Sequence, residues 1–238
     1  MWFRALTLLC LFLLSQASRG QQKAIDVPFD NTPVAGSPIE VNGTLSVRET
    51  VLGNQVESQW EENIVDKNIS NKPILLLIGA LEAEGPRSDG GLRLILDRFF
   101  SPDVIQPGDT LPLLTGSSGR GSCCINPLDE PRDPKAAFRL EFVQFVDGSS
   151  FGTPASAKDT FASRTSTLLA LRNLNQTYSD QGEQKFLSQL VEAHGPTTAV
   201  IRWTAKEKGT GAAIAQLREI LTMAKKHDQM IGGQQLPK

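Results

Sequence analysis

The chain has 238 residues, of which 39% are hydrophobic and 21% are charged. This balance is ordinary for a globular protein and excludes a collagen-like or wholly disordered chain. The formal net charge of -2 supplies no basic surface for nucleic acid or for an anionic membrane, so we expect neither as a partner.

Residues 1–20 have the three parts of a secretory signal peptide. Arg4 supplies the positive charge, an apolar run follows from Ala5 to Leu14, and small residues come after it. The run is shorter than the roughly 20 residues that a transmembrane helix needs, so cleavage is favoured over anchoring. We therefore expect a secreted or periplasmic protein that begins between Ser18 and Gln22 after cleavage and has no later membrane span.

The first strands are predicted after an extended arm. Residues 21–37 contain prolines, a glycine and scattered polar side chains, which predicts an arm outside the core. Residues 39–49 then alternate between apolar and polar, the pattern of a strand with one buried face. Gly53 and Asn54 mark a turn, and a second strand is predicted over residues 56–67.

The segment from Asn68 to Ile74 carries the pattern N-x-S-x-K-P-I and leads into a strongly apolar strand at residues 74–81. Pro73 fits the first position of a strand because proline has no amide hydrogen to give to the ladder. The pattern resembles exported bacterial proteins with an immunoglobulin-like sandwich, in which it joins neighbouring strands. The resemblance covers residues 38–152 and implies an antiparallel β-sandwich, but it implies no particular activity.

Further strands are predicted over residues 92–100 and 110–114, with a Pro-Gly-Asp turn between them. Residues 115–134 then collect glycines and prolines, which predicts a long loop. Cys123 and Cys124 are adjacent in this stretch. Neighbouring α-carbons lie about 3.8 Å apart, closer than an ordinary disulfide allows, so joining these cysteines requires a strained ring.

Three interpretations of Cys123 and Cys124 remain open. They form a redox-labile vicinal disulfide, they cross-link to another chain, or they are two thiols without a role, and we favour the last. His194 and His227 lie far from them in sequence and outside zinc-ligand spacing. We therefore expect no metal site and no cofactor.

Residues 138–146 are apolar on both faces, which predicts a central strand or a second packed layer. The run Q-F-V-D-G-S-S-F-G, from Gln144 to Gly152, also resembles the last strand and turn of the same exported proteins. Within this run, G-S-S-F-G matches the G-x-S-x-G nucleophile elbow, with Ser150 in the nucleophile position.

A serine hydrolase would also need a carboxylate and a histidine. Asp159 or Asp180, followed by His194 or His227, gives the chain order of that triad. The elbow belongs to a parallel sheet that alternates with helices, however, whereas the strands here are predicted to be antiparallel. The Asp-Gly pair before the serines is also a common turn. We therefore predict that Ser150 belongs to a packed turn and is not catalytic.

Beyond Pro154 the hydrophobic period changes from two to near 3.6, which predicts a helical region. Helices are expected over residues 156–178, 183–194 and 211–230, while residues 198–206 fit a helix or a strand. The apolar stripes of these helices predict that they pack against the sandwich. His194 and His227 fall at helix ends, so we expect a capping role for the first and a solvated position for the second.

These patterns predict four segments: a signal peptide at residues 1–20, an extended arm at 21–37, an immunoglobulin-like β-sandwich at 38–153 and a helical region at 154–238. The expected function is non-catalytic binding or structural interaction outside the cytoplasm, with a protein or cell-envelope component as partner. Two alternatives remain, a small exported serine hydrolase that uses Ser150 and a redox-sensitive module that uses Cys123 and Cys124.

Overall fold

The computed structural model describes residues 23–30, 34–123 and 130–233, apart from the side chains of residues 120–123. The predicted signal peptide at residues 1–20 lies outside these ranges. The described strands are β1 (Ile25–Val27), β2 (Phe29–Asp30), β3 (Ile39–Leu52), β4 (Gln55–Asn68), β5 (Ile74–Glu84), β6 (Asp89–Asp97), β7 (Thr110–Cys123), β8 (Lys135–Phe145) and β9 (Ser150–Gly152). A short 3-10 helix, Pro154–Ala157, precedes α1 (Lys158–Glu192), α2 (Pro196–Lys208) and α3 (Thr210–Met230).

The strands form two sheets. Sheet A has the order β1-β3-β4-β7 and all of its pairs are antiparallel. Sheet B has the order β2-β8-β5-β6, with β9 also paired to β8, and only its β2–β8 pair is parallel. Val47 and Trp60 of sheet A share one hydrophobic cluster with Leu77 and Val143 of sheet B. The protein is therefore built from mainly antiparallel sheets around a common core, followed by a C-terminal helical region.

β3 and β4 form a long hairpin in which burial alternates from one residue to the next. Every second residue of β4 from Val56 to Asn68 is buried, and most of the others are exposed. Gly43 of β3 lies where a Cβ atom would come within 2.4 Å of the Asn63 carbonyl oxygen, so this register needs a residue without a side chain. The predicted strands over residues 39–49 and 56–67 are confirmed, and both extend further toward their turn.

Three predictions about the β region were wrong in detail. Residues 115–134 were expected to form a loop, but β7 continues to Cys123 because its backbone pairs with β4 along the whole hairpin. The arm at residues 21–37 contains β1 and β2, and Val27 is buried in the core. The strand expected to reach Phe100 ends at Asp97, whose carboxylate accepts the Phe99 amide hydrogen at 3.0 Å and turns the chain.

Gly182, Gly195 and Gly209 divide the helical region into four segments. Gly182 interrupts α1 with φ 80° and ψ -175°. Gly195 precedes α2 with φ 111° and ψ 161°, and Gly209 precedes α3 with φ 87° and ψ 166°. This part of backbone space is almost closed to residues with a Cβ atom. Residues 198–206, which fitted either a helix or a strand, belong to α2, and Pro196 starts that helix in the position proline favours.

The helices pack on the outer face of sheet B, as their apolar stripes predict. Leu75 and Phe99 cluster with Leu168 of α1 and Ala224 of α3, and a second cluster joins sheet B to Phe161. The run I-L-L-L-I at residues 74–78 is fully buried because β5 faces the common core on one side and helices on the other.

Candidate functional site

A cavity of about 920 Å³ opens between the end of β6 and the three helices, and we call it the groove. One side of the groove comes from Ile95 and Asp97 at the end of β6 and from the turn after it, which begins with Arg98. The helices supply the other walls with side chains at helical spacing. On α3 these are Gln216, Glu219, Ile220 and Met223, on α1 they include Asp159, Ser163 and Thr167, and on α2 they are Pro196, Thr197 and Val200.

Arg164 lies at the base of the groove and joins α1 to sheet B. Its side chain is only 1% exposed, and its Nε and Nη2 atoms each donate to an Asp97 carboxylate oxygen at 2.8 Å. Nη1 donates to Gln144 Oε1 at 2.9 Å. The guanidinium also lies 4.6 Å from the ring centroid of Phe99 and 5.3 Å from that of Phe161. A buried charge with this many partners stabilises the packing of α1 on sheet B and is not available to bind a ligand.

The rim of the groove is apolar and accessible. Ile95 of β6 is 47% exposed and Val200 of α2 is 49% exposed, and both line the groove. Apolar side chains grouped around a concave surface are typical of a binding site, whereas single exposed apolar residues are common everywhere.

The N-x-S-x-K-P-I segment after β4 and the turn after β8 meet at Lys72. Its Nζ atom lies 2.7 Å from Asp147 Oδ2 and donates to Ser149 Oγ at 2.9 Å. Ser149 in turn donates to Asp147 from its amide, at 3.0 Å, and from its hydroxyl. The hydrogen bonds from Lys72 and Ser149 lower the pKa of the Asp147 carboxyl to about 2. This cluster ties the crossing after β4 to the turn after β8.

The other polar residues of the first pattern hold the crossing itself. The buried Asn68 donates from Nδ2 to the carbonyl oxygens of Lys72 and Ile105, at 2.9 Å and 3.0 Å. Its Oδ1 accepts the amide of Ser70 at 3.0 Å and the hydroxyl of Ser70 at 2.7 Å. The pattern therefore encodes a turn, and each of its polar side chains has a structural partner.

Ser150 is the first residue of β9, is exposed, and stands opposite Gln144 of β8. In the described part of the chain no hydrogen bond joins Ser150 to His194 or His227. The expectation of a solvated His227 was wrong, since this side chain is buried and its Nδ1 lies 2.9 Å from the Phe99 carbonyl oxygen. The ring faces the sheet because α3 lies across the turn after β6.

The capping role expected of His194 is filled by Arg202 instead. His194 is exposed just after α1. Arg202 of α2 donates from Nε to the Leu190 carbonyl oxygen at 3.1 Å and from Nη2 to the Ala193 carbonyl oxygen. Five guanidinium donors on a long side chain satisfy several helix-end carbonyls at once, which one imidazole cannot do.

The cysteine hypotheses remain predictions. Only the backbone of Cys123 is described, at the end of β7, and Cys124 lies outside the described residues. Across residues 23–30, 34–119 and 130–233 no group of three or more His, Cys, Asp or Glu side chains is arranged to hold a metal ion.

No protein-family model, curated protein or solved structure matches this chain. Among the described helices, none combines the length and the apolar character needed to cross a bilayer. The site therefore has to be interpreted from its own residues.

The sequence did not identify Arg164 as a site residue, although one signal was present. Arg164 is a charged residue in the buried stripe of α1, four residues before the buried Leu168.

Proposed function

We propose that this chain is an exported, non-catalytic binding protein with an immunoglobulin-like β-sandwich, and that it holds its ligand in the groove between β6 and the helices. The leader supports export. The common core of two largely antiparallel sheets, together with the resemblance carried by the two patterns that meet at Lys72, supports the immunoglobulin-like assignment. The partner would be a molecule or segment presented by another protein or by the cell envelope.

The groove is the observation that carries the proposal. Its volume of about 920 Å³ falls in the range of roughly 300–1,000 Å³ that is usual for ligand sites. Its walls come from four separate elements, and the Arg164–Asp97 pair joins two of them, α1 and β6. A concave, mostly apolar surface with a rigid base needs little reorganisation on binding, which favours affinity.

The absence of catalysis is proposed on two grounds. Ser150 has no histidine base within its hydrogen bonds in the described residues. Lys72 is paired to a carboxylate and donates a hydrogen bond to Ser149, whereas a lysine acting as base would have to be neutral and accept the serine proton. Both geometries favour a structural turn over a nucleophile.

A neutral fluorescent probe tests the proposal. N-phenyl-1-naphthylamine, whose emission rises in apolar surroundings, is titrated into the protein lacking residues 1–20. We expect saturable binding that the substitution Val200→Glu weakens about tenfold, since it places a charge on the apolar rim. Val200 is half exposed, so folding should be unaffected.

The matched control is Leu52→Glu. Leu52 is 54% exposed at the end of β3 and does not line the groove. This variant is expected to bind the probe like the wild type. Equal loss in both variants, or no saturable binding at all, would contradict the proposal.

A further inference from the structure

β6 is the open edge of sheet B. Its residues, Asp89–Asp97, pair with β5 in unbroken register, and in the described part of the chain no other strand pairs with it. Every second residue of an antiparallel strand directs its N–H and C=O groups away from the partner strand. Within the described ranges, none of these outward groups of β6 takes part in a hydrogen bond. β6 therefore presents a row of backbone donors and acceptors to a further strand.

The other edges of the described sheets are protected in ways that β6 is not. β1, β2 and β9 have only three, two and three residues. β7 is interrupted by a bulge beside Pro112, and from Thr115 onward it consists mainly of glycine, serine and threonine. Short strands, prolines and bulges keep an edge from accepting a further strand. β6 has neither proline nor bulge, and it carries the sequence L-R-L-I-L at residues 92–96.

The charges of β6 are neutralised inside the molecule. Asp89, Arg93 and Asp97 each form an ion pair with a residue outside the strand, with nitrogen–oxygen distances of 2.7, 3.3 and 2.8 Å. The edge is therefore complementary to an uncharged strand. A second copy of β6 fits less well, because antiparallel pairing along its whole length would place Asp89 opposite Asp97 and Arg93 opposite Arg93.

The groove lies over this same edge. Ile95 and Asp97 of β6 line it, whereas among the described residues none from β5 or β8 does. Residues directly opposite each other in paired strands point to the same face of the sheet. A side chain opposite Ile95 in an added strand therefore stands on the helix-facing side, at the groove. The side chains next to it in sequence lie on the other face, beside Leu94 and Leu96, which pack on the common core.

We propose that β6 binds an extended segment of another protein as an additional strand of sheet B. Apolar side chains at alternate positions of this uncharged segment cover Leu92 and Leu94, and the side chain opposite Ile95 enters the groove. Backbone hydrogen bonds supply affinity, and the groove supplies selectivity for that side chain. This inference rests on the proposed function, because it names the class of partner for the same groove.

A peptide and its two N-methylated forms test the inference. The probe is a fluorescently labelled peptide, K-T-V-T-V-T-V-T-V-K, with a lysine at each end for solubility, and anisotropy measures its binding to the protein lacking residues 1–20. In an extended strand all valine amides point to one edge and all threonine amides to the other. Methylating one set should weaken binding more than about tenfold, and methylating the other less than about twofold. Equal effects of the two sets, or no saturable binding of the parent peptide, would contradict the inference.

Leu92→Lys tests whether β6 is the strand that binds. Leu92 is 39% exposed, so the variant should fold normally. A lysine there places a charge where the added strand packs, and we expect about fivefold weaker peptide binding. The matched control is Ile25→Lys, because Ile25 is 43% exposed in the edge strand β1, and it should leave the affinity unchanged. Wild-type affinity in Leu92→Lys, or an equal loss in the control, would exclude β6.

Two further measurements separate the alternatives. Sedimentation velocity is expected to show a monomer, and a wild-type dimer that Leu92→Lys converts into a monomer would show that a second copy covers β6, which would overturn the assignment to another protein. N-phenyl-1-naphthylamine reports on the groove alone. If it binds saturably and the peptide does not, the strand inference is wrong while the proposed function stands. If neither binds, the proposed function fails as well.

Discussion

Replacing Arg164 by methionine tests the link between helices and sheet most severely. The change keeps an apolar stem of similar length for Phe99 and Phe161, but it removes the guanidinium that donates to Asp97 and Gln144. Removing one partner of a buried pair typically costs about 3–5 kcal/mol. The Asp97 side chain is 22% exposed, so water relieves part of that cost and the lower end, about 3 kcal/mol, is expected.

Thermal and urea unfolding, followed by circular dichroism, measure this loss. For a chain of this length about 3 kcal/mol corresponds to a fall in melting temperature of roughly 6–12 °C. Arg164→Met combined with Asp97→Asn should recover much of the loss, because no unpaired charge then remains. A single variant within about 1 kcal/mol of the wild type, or a double variant no better than the single one, would refute the assigned role of Arg164.

The remaining predictions concern the core, the turn and the helices. Burial raises the pKa of Asp66 from 3.8 to about 6, so the folded protein favours the neutral carboxyl. The free energy of unfolding should therefore fall by about 3 kcal/mol as the pH rises from about 4 to above 6. Asp66→Asn should remove this pH dependence in urea titrations at several pH values, and an unchanged pH dependence would exclude Asp66 as its source. Ser150→Ala should leave any hydrolysis of activated esters at the wild-type level, whereas turnover that this change abolishes would restore the hydrolase alternative. A chain ending at Thr153 should aggregate or melt at clearly lower temperature, because Leu75, Leu76 and Ile78 lose the helices that bury them. A soluble fragment that melts like the full chain would show that the helices are independent.

Strand β3 was predictable from the sequence, because its first residues alternate between apolar and polar side chains and burial follows the same period of two. The extension of β7 was not, since its serines and glycines carry no hydrophobic signal and its pairing depends on the distant β4. The run at residues 74–78 indicated burial on both faces, but nothing local identified the helices as the second cover.

The site was harder to predict than the fold. The groove combines Ile95, Arg164, Val200 and Ile220, which belong to four elements and form no pattern along the chain. The most recognisable local pattern, around Ser150, marks a hairpin in the structure. His227 could not be placed from the sequence either. A histidine near a helix end has the same local sequence whether it is exposed to solvent or packed against Phe99.

Methyl-resolved NMR tests the central claim, ligand binding in the groove, most directly. N-phenyl-1-naphthylamine is titrated into protein lacking residues 1–20 and labelled at isoleucine and valine methyl groups. Ile95, Val200 and Ile220 line the groove, so their signals are expected to shift together and to saturate at one dissociation constant, while core methyls such as those of Ile64 stay in place. Shifts spread over exposed residues outside the groove, or groove methyls that do not move at saturating probe, would contradict the account.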